Sequence, residues 1–272
     1  MVITAPYSLE MPLTITPLPN LPLIQPGDDL AGLILSSLKQ AEITLQNGDI
    51  LVLAQKVVSK AENRLVNLAD VTPSPPALEV AQKTGKDPRL AELLLRESSE
   101  ILRMRTGTAI VEHRLGFVCA NAGIDQSNVA PPPSATRMDE NNPAEWVLLL
   151  PENPDQSAAE IRTRLESASG KRLGVLIIDS HGRAWRLGTV GVAIGLSGLP
   201  GLIDERGWRD LFGYALKITV VGVADELAAA ASLVMGQAAE GRPIVHVRGF
   251  PYPLREGSFK ELLRPKEQDM FR

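Results

Sequence analysis

Continuous apolar runs and helically spaced apolar residues divide the chain into predicted strands and helices. The other predicted elements are organised around the stretch at 174–198, GVLIIDSHGRAWRLGTVGVAIGLSG, which opens with an unbroken apolar run at 175–178. Four apolar residues in succession, three of them β-branched, predict a strand that is buried on both faces. The same reasoning predicts further strands at Ile50–Ala54 and at 145–150, 216–223 and 244–247.

Apolar residues at helical spacing predict helices over 30–41, 89–105, 157–167 and 224–235. The 89–105 segment is the most amphipathic of them, and its mixed charges are typical of a solvated helix face. Asp28 or Asp29 is suited to cap the first helix, and Ser157 to cap the third. Gly236 is suited to end the last helix.

Two short apolar runs at 108–112 and 115–119 predict a hairpin with His113 and Arg114 at its turn. At such a position a surface turn histidine is more frequent than a metal ligand. The segment at 130–142, APPPSATRMDENN, is polar and rich in proline, which predicts a mobile connector.

The polar residues that follow the 175–178 run carry the first candidate chemistry. Asp179 and Ser180 are oxygen ligands at the end of a buried strand, which suits a hard cation such as Mg²⁺ or Mn²⁺. Arg183 and Arg186 come directly after them and are forked donors for phosphate or carboxylate. The recurring glycines would let the backbone approach a ligand. The alternative is that Asp179 and Ser180 form only a turn or a helix cap.

Two other polar clusters also follow apolar strands. Lys56 and Lys60 come after the strand at Ile50–Ala54 and could neutralise phosphate, although a solvated helix start is the alternative. Asp125 and Asn128 come after the 115–119 run. Asp125 could be a second carboxylate for a hard metal, and a plain Asx-turn is the alternative.

Composition narrows the class of protein. The net charge of −4 over 272 residues argues against a dedicated nucleic-acid binder, whose surface would be basic. Cys119 is the single cysteine, so no internal disulfide and no cysteine-rich zinc site is possible. The N-terminus lacks the pattern of a secretory signal, and no apolar run is long enough to span a membrane. We therefore expect a cytoplasmic protein without nucleic-acid or membrane partners.

The pieces together resemble the F420-0:γ-glutamyl ligase family, which makes the deazaflavin cofactor F420. The resemblance runs from about residue 21 to residue 265 and implies an α+β fold of two subdomains, assembled as an intertwined homodimer. It also implies that residues 1–272 form one catalytic unit, without the C-terminal nitroreductase-like domain of some members. The matching stretches are LPLIQPGDDL, GDILVLAQKVVSKAENR, RLGFVCANAGIDQSN, IIDSHGRAWRLGTVGVAIGLSGL, RDLFGYALKITVVGVADELAAAASLVMGQ, VRGF and LLRP.

The activity that the resemblance implies is a GTP-dependent ligation. L-glutamate is added to the terminal carboxylate of F420-0, and a further glutamate follows through a γ-linkage. GTP would activate the carboxylate as an acyl phosphate, with two Mn²⁺ or Mg²⁺ sites and K⁺ assisting. Two other functions remain open at this point: a related ligase for another carboxylate acceptor, and a non-catalytic protein that binds a nucleotide or cofactor.

The resemblance also implies the role of individual residues. Asp125 and Asp179 would hold one metal, and Ser180 and Gln237 the second. Arg183, with Trp185 and Arg186, would bind phosphate or F420-0. The family often has threonine at the position of Ser180 and serine or threonine at that of Gln55. The residues implied in GTP binding are Leu21, Pro22, Leu23, Ile24, Gln55, Lys60 and Asn128, with Met235, Gly236 and Gln237 in a loop that would close over the nucleotide.

Overall fold

We analysed a computed structural model, which describes residues 12–131 and 146–270. The described chain is a mixed α+β fold. Its helices are α1 (Leu30–Gln40), α2 (Gln55–Ala61), α3 (Pro75–Thr84), α4 (Pro88–Arg96), α5 (Pro154–Ser169) and α6 (Val223–Met235). Its strands are β1 (Thr14–Pro17), β2 (Ile50–Ala54), β3 (Leu65–Asn67), β4 (Ser98–Arg105), β5 (Thr108–His113), β6 (Val118–Ala120), β7 (Trp146–Leu148), β8 (Gly174–Arg183), β9 (Arg186–Ser197), β10 (Ile203–Asp204), β11 (Val220–Val221) and β12 (Ile244–Arg248).

The main sheet has five strands in the order β1-β12-β2-β8-β9. Its central pair, β2 and β8, is parallel, with Ala54 opposite Ile178, and the other neighbours are antiparallel. The parallel pairing of β2 with β8 therefore ends at Ala54 and Ile178. The predicted strand at 175–178 is confirmed, but β8 continues beyond Asp179 to Arg183 as one arm of a hairpin with β9.

Both faces of this sheet are covered, because successive side chains of a strand point to opposite sides. Leu51, Leu53, Val175 and Ile177 pack into the core that includes α1 and α5. Their neighbours Ile50, Val52, Leu176 and Ile178 pack into the core that includes α6. The continuous apolar runs of β2 and β8 thus reflect burial on two faces.

Two glycines of β9 permit this close helix packing. A Cβ atom at Gly191 would stand 2.5 Å from the carbonyl oxygen of Ala228 in α6. A Cβ at Gly195 would stand 2.3 Å from the Cβ of Pro154 in α5. These glycines therefore serve contacts between helix and sheet, and the expectation that they bring the backbone close to a ligand is wrong for both.

The helix predicted over 89–105 is also wrong in its second half. Helix α4 ends at Arg96, and β4 follows at once, paired with β5 from Ser98 opposite His113 to Arg105 opposite Thr108. With β6 it forms a separate three-stranded sheet. The hairpin partner provides backbone hydrogen bonds that outweigh the helical spacing of the local sequence.

His113 is fully buried and is not a surface turn residue. Its ring stacks on Phe117 with centroids 5.2 Å apart, and its Nε2 lies 3.6 Å from Oε2 of Glu97. The Glu97 carboxylate is buried too, and it accepts hydrogen bonds from Arg64 and Arg114. Burial alone would raise the pKa of Glu97, but these partners bring it down to about 2.

Between β9 and α6 the chain forms an extended segment at 203–221. Only Val220–Val221 of the predicted 216–223 strand is in a ladder, paired with Ile203–Asp204. The apolar residues of this segment are not buried in the described chain, which explains why the predicted core strand does not form. Its most exposed large apolar side chains are Leu211, Phe212 and Ile218.

Of the three helix ends with a predicted capping or stop residue, two are confirmed. Asp29 caps α1 by accepting from the Gly32 amide, and α6 ends at Gly236. Helix α5 begins earlier than predicted, at Pro154 with Asn153 as its cap, and Ser157 instead bonds Glu62. The predicted connector at 130–142 lies outside the described residues except for its first two positions. Among the described helices, none has the length and apolarity needed to cross a bilayer.

Candidate active site

The candidate site lies at the end of the parallel pairing of β2 and β8, where Ala54 ends β2 opposite Ile178 of β8. Gln55 is the first residue after β2, and Asp179 follows Ile178 of β8. Asp125 reaches the same place from a different part of the chain. Its amide and carbonyl each bond Leu148 of β7 at 2.9 Å, which fixes its backbone alongside that strand.

A tight turn before Asp125 explains how the chain arrives there. Asn121, Ala122 and Gly123 all have positive φ, at 53°, 54° and 65°. A Cβ at Gly123 would also stand 2.7 Å from Cδ1 of Leu150, so glycine is required on two grounds. Left-handed conformations at the two other residues are unfavourable and are concentrated near functional sites.

Asp125 is a mostly buried carboxylate with two nitrogen partners. Nε2 of Gln55 donates to its Oδ2 at 2.6 Å, and the Lys56 ammonium lies 3.2 Å from its Oδ1. Burial and the nearby charge of Asp179 raise the pKa of Asp125 to about 6, although Lys56 and Gln55 oppose the rise. The two acidic side chains are therefore close enough to repel each other, which favours a cation at this position.

Asp179 has its own partner on β8. Nε2 of His181 lies 3.0 Å from Oδ2 of Asp179, and both side chains are largely buried. The two residues are two positions apart in a strand and so share one face. The imidazole packs against Phe117 with ring centroids 5.3 Å apart. This contact limits the movement of the ring that holds Asp179.

Ser180 points to the opposite side of β8 and joins the strand to the end of α6. Its hydroxyl donates to Oε1 of Gln237 at 2.8 Å, and Nε2 of Gln237 donates to Oγ of Ser232 at 3.0 Å. Gly236, with φ of 79°, supplies the helix end that turns Gln237 towards the strand. Met235, the last residue of α6, is buried in the core.

Lys60 and Asn128 connect the remaining loops. Nζ of Lys60 donates to the carbonyl of Asn128 at 2.8 Å, and Nδ2 of Asn128 donates to the carbonyl of Ala238 at 2.9 Å. Burial and the nearby charge of Lys56 lower the pKa of Lys60. Asn128 thereby ties the loop after Asp125 to the loop after α6.

The segment with Leu21, Pro22, Leu23 and Ile24 lies beside helix α2. The amide of Gly27 bonds the carbonyl of Ala61 at 2.8 Å, and Ile24 is buried in the core that also contains Val57 and Val58. Leu23 projects from this segment and is 85% exposed. The segment is thus anchored at one side, with an apolar side chain open to solvent.

Arg183 is not brought to the carboxylates. Four residues of extended strand place its Cα about 13 Å beyond that of Asp179. Its guanidinium donates to the carbonyl of Leu187 at 3.1 Å, within the β8–β9 hairpin. Trp185, at the hairpin tip, is 90% exposed.

Sequence reasoning missed several contacts within the site. The sequence predicts Lys56 as a phosphate neutraliser or as part of a solvated helix start, and it does not indicate the pairing with Asp125. Ser59 and His181 hold Gln55 and Asp179, and neither role could be found from residue spacing alone. The one-turn spacing of Gln55 and Ser59 on a helix permits their contact but does not by itself predict it.

The residues present fit a hard divalent cation. The described residues contain no cluster of three or more His, Cys, Asp or Glu side chains that could hold a metal. The candidate ligands are instead the carboxylates of Asp125 and Asp179 and, on the opposite side of β8, the hydroxyl and amide oxygens of Ser180 and Gln237. An all-oxygen set of this kind suits Mg²⁺ or Mn²⁺.

Known proteins resemble the chain over most of its length. A sequence profile described as F420-0:Gamma-glutamyl ligase matches residues 19–249. A protein of Methanothermobacter thermautotrophicus named Coenzyme F420:L-glutamate ligase is 50% identical over 255 residues, which cover 93% of this chain and 96% of the relative. A protein of the same name from Methanopyrus kandleri is 48% identical, with 96% and 98% covered. A third, from Archaeoglobus fulgidus, is 42% identical, with 96% and 97% covered.

The profile match extends from the segment at Leu21 to the strand exit after β12, so it includes each element that contributes to the site described above. The similarity therefore concerns the whole arrangement and not one motif. On this basis the chain belongs to the F420-0:γ-glutamyl ligase family.

Proposed function

We propose that this protein is a GTP-dependent ligase that joins L-glutamate to coenzyme F420-0 and then adds a further glutamate through a γ-linkage. The observation that carries the proposal is the close approach of Asp125 and Asp179 where the parallel pairing of β2 and β8 ends, beside Lys56 and Lys60. Acidic and cationic groups placed together in this way suit the transfer of a phosphoryl group. The relatives' name, Coenzyme F420:L-glutamate ligase, supports the choice of substrates.

A carboxylate must be activated before an amine can attack it. In the proposed reaction, a carboxylate oxygen of F420-0 attacks the γ-phosphorus of GTP, and the bond to the β-phosphate oxygen breaks to release GDP. The glutamate amine then attacks the carbonyl carbon of the acyl phosphate. A C–N bond forms, inorganic phosphate leaves, and the amine loses a proton. Alignment and charge neutralisation supply most of the catalysis in such a transfer.

The oxygen ligands have the first role in this scheme. We assign Asp125 and Asp179 to one divalent cation, and Ser180 and Gln237 to a second, with K⁺ as a further assisting ion. When bound, Mn²⁺ or Mg²⁺ would neutralise the phosphate oxygens and align the reacting groups.

The nucleotide contacts follow from the loops around these ligands. Lys56 and Lys60 would offset phosphate charge, and Asn128 would present its amide. The exposed Leu23, with Leu21, Pro22 and Ile24, would line the position of the nucleotide. The loop from Met235 through Gly236 and Gln237 would close over it, since the Asn128–Ala238 contact already joins the two sides. We assign Arg183, with Trp185 and Arg186, to a phosphate group or to F420-0, because they lie outside the carboxylate cluster on the exposed hairpin.

We also propose that two copies assemble as an intertwined homodimer of two-subdomain monomers. The support is a set of large apolar side chains that are nearly fully exposed in one chain: Trp185, Leu187, Leu211, Phe212 and Ile218. They lie on the β8–β9 hairpin and on the segment at 203–221, and exposed apolar groups of this size mark interaction surfaces.

The deciding experiment is a reaction of purified protein with F420-0, L-glutamate, GTP and Mn²⁺, followed by mass spectrometry. Wild type should add whole glutamyl units. Asp179→Asn should lose at least 100-fold in rate, whereas Glu79→Gln, which removes one exposed carboxylate on α3, should not change the rate. GTP turnover without glutamylated product would indicate another acceptor, and no GTP turnover in a folded sample would favour a non-catalytic binding protein.

A further inference from the structure

We infer that Gln55 is a positioning residue for Asp125, and that Ser59 fixes the orientation in which Gln55 does this. The inference rests on the proposed function, because it concerns how Asp125 is presented to a divalent cation. It assigns to the Gln55 side chain a role different from the nucleotide contact that the family resemblance implies.

The Gln55 side chain is committed at both ends inside the protein. Its Nε2 donates to Oδ2 of Asp125 at 2.6 Å, and its Oε1 accepts from Oγ of Ser59 at 2.8 Å. Gln55 is 1% exposed and Ser59 is not exposed at all. In this structure the amide has neither the freedom nor the accessibility that a direct nucleotide contact would require.

Chemistry determines which way the amide must face. An ionised carboxylate can only accept hydrogen bonds, so the amide group beside Asp125 must be the NH₂. A serine hydroxyl can either donate or accept, but an amide oxygen can only accept. Asp125 therefore dictates the orientation in which the NH₂ points at it, and Ser59, one helical turn after Gln55, secures that orientation by donating its proton to the amide oxygen.

This arrangement makes the two oxygens of Asp125 unequal. Oδ2 is held by a buried amide that is itself held by a buried hydroxyl. Oδ1 faces the ammonium of Lys56, a flexible side chain that is 26% exposed. The Lys56 ammonium also donates to Oγ and to the carbonyl oxygen of Ser127 at 3.0 and 3.2 Å, so it keeps these partners when a cation takes its place at Oδ1, whereas the buried Gln55 amide has no such alternative. The structure thus leaves Oδ1 as the oxygen available to a cation, while Gln55 keeps the carboxylate plane in place.

Groups that orient a metal ligand affect metal affinity without touching the metal. If Ser59 is removed, the amide oxygen loses the hydrogen bond that secures its orientation, and Asp125 loses a fixed partner for part of the time. If Gln55 is replaced by leucine, Asp125 loses that partner entirely. The expected order of Mn²⁺ affinity is therefore wild type, then Ser59→Ala, then Gln55→Leu.

The test measures Mn²⁺ binding to the nucleotide-free protein by the electron paramagnetic resonance signal of free Mn²⁺. Ser59→Ala should weaken binding about 3- to 10-fold, and Gln55→Leu about 10- to 100-fold. Ser59→Thr, which keeps the hydroxyl, should restore affinity to within about 2-fold of wild type. Ser37→Ala is the matched control, because Ser37 is also a buried helical serine that donates to a carbonyl, that of Pro19, and it makes no hydrogen bond to the candidate metal ligands.

Steady-state kinetics provide a second measurement, whose expected pattern differs from that of a variant that has only lost structure. In Ser59→Ala the Mn²⁺ concentration for half-maximal rate should rise by the same factor as the dissociation constant for Mn²⁺. The kcat at saturating Mn²⁺ should stay within about 2-fold of wild type. Wild-type affinity in both Ser59→Ala and Gln55→Leu would overturn the inference and leave the proposed function intact. Mn²⁺ binding that follows the expected order, without any glutamylation, would remove the proposed function and leave the inference standing. A wild type that binds no Mn²⁺ would overturn both.

Discussion

Replacement of Asp49 by asparagine should destabilise the protein in a way that depends on pH. Asp49 lies just before β2 and is 1% exposed. Its carboxylate accepts hydrogen bonds from Arg248 of β12 at 2.9 and 2.7 Å and from the Gln46 amide at 2.8 Å. Nε2 of His246 lies 2.8 Å from the same group. These contacts clamp β12 to the beginning of β2.

The magnitude follows from the pKa of the Asp49 carboxyl. Burial would raise that pKa, but Arg248, His246 and the Gln46 amide together lower it from 3.8 to about 2. A difference of this size corresponds to about 2 kcal/mol of unfolding free energy. The folded-state pKa is the lower one, so this stabilisation is fully present above about pH 5, falls to about half near pH 3, and is lost as the pH drops through about 2.

Asp49→Asn also leaves the Arg248 guanidinium without its counter-charge. Since Arg248 is partly exposed, we place the total loss at neutral pH at about 3 kcal/mol, near the lower limit for breaking a buried ion pair. Urea unfolding of wild type and Asp49→Asn at pH 7, 5 and 3 measures the difference directly. Asp70→Asn, at an exposed carboxylate, serves as the control.

The reasoning fails if the free-energy difference between wild type and Asp49→Asn is the same at pH 3 as at pH 7. It also fails if the difference at pH 7 is below about 1 kcal/mol. Glutamylation at 25 °C should be unchanged in this variant, because six residues of extended chain separate Asp49 from Gln55 by about 20 Å.

Three further changes test other parts of the molecule. Lys56→Gln should lower the unfolding free energy of the metal-free protein by about 1–2 kcal/mol, because the positive charge beside Asp125 and Asp179 is lost. Mn²⁺ should restore the stability in a thermal melt, and a loss that persists in Mn²⁺ would contradict this explanation. Phe212→Asp should shift the molar mass in light scattering from dimer to monomer, and an unchanged mass would remove this segment from the interface. Gly195→Ala should lower the unfolding free energy by about 1–3 kcal/mol through its clash with Pro154, and an unchanged melting temperature would refute the packing argument.

The sequence predicts the strands and helix that carry the site residues more accurately than it predicts the surrounding elements. Strands β2 and β8 and helix α6 follow from local patterns, because each is buried in a way that its own apolar spacing records. The polar residues that follow the buried part of each element therefore lie where the local pattern predicts them, although β8 itself continues to Arg183. A strand buried on two faces leaves its first polar residues only at its end, where a site can form.

Long-range partners explain the main errors. The segment Ser98–Arg105 has helical spacing, yet it becomes a strand because Thr108–His113 pairs with it across a tight turn. His113 is buried because Glu97 and Phe117 enclose it, and no local pattern indicates these contacts. The same limit applies within the site, where Gln55 and Asp125 are 70 residues apart.

Strand β2 shows how stability and chemistry are separated in this fold. At its beginning, Asp49 holds β12 through an ion pair with Arg248 that lowers the pKa of the acid. Just beyond its end, Gln55 leads to Asp125, whose pKa is raised because burial and a second acid disfavour its charge. One end therefore contributes stability, whereas the other stores an unfavourable charge arrangement that a bound cation would relieve. Opposite pKa shifts at the two ends of one buried strand distinguish the structural carboxylate from the functional one, although both are aspartates beside an apolar run.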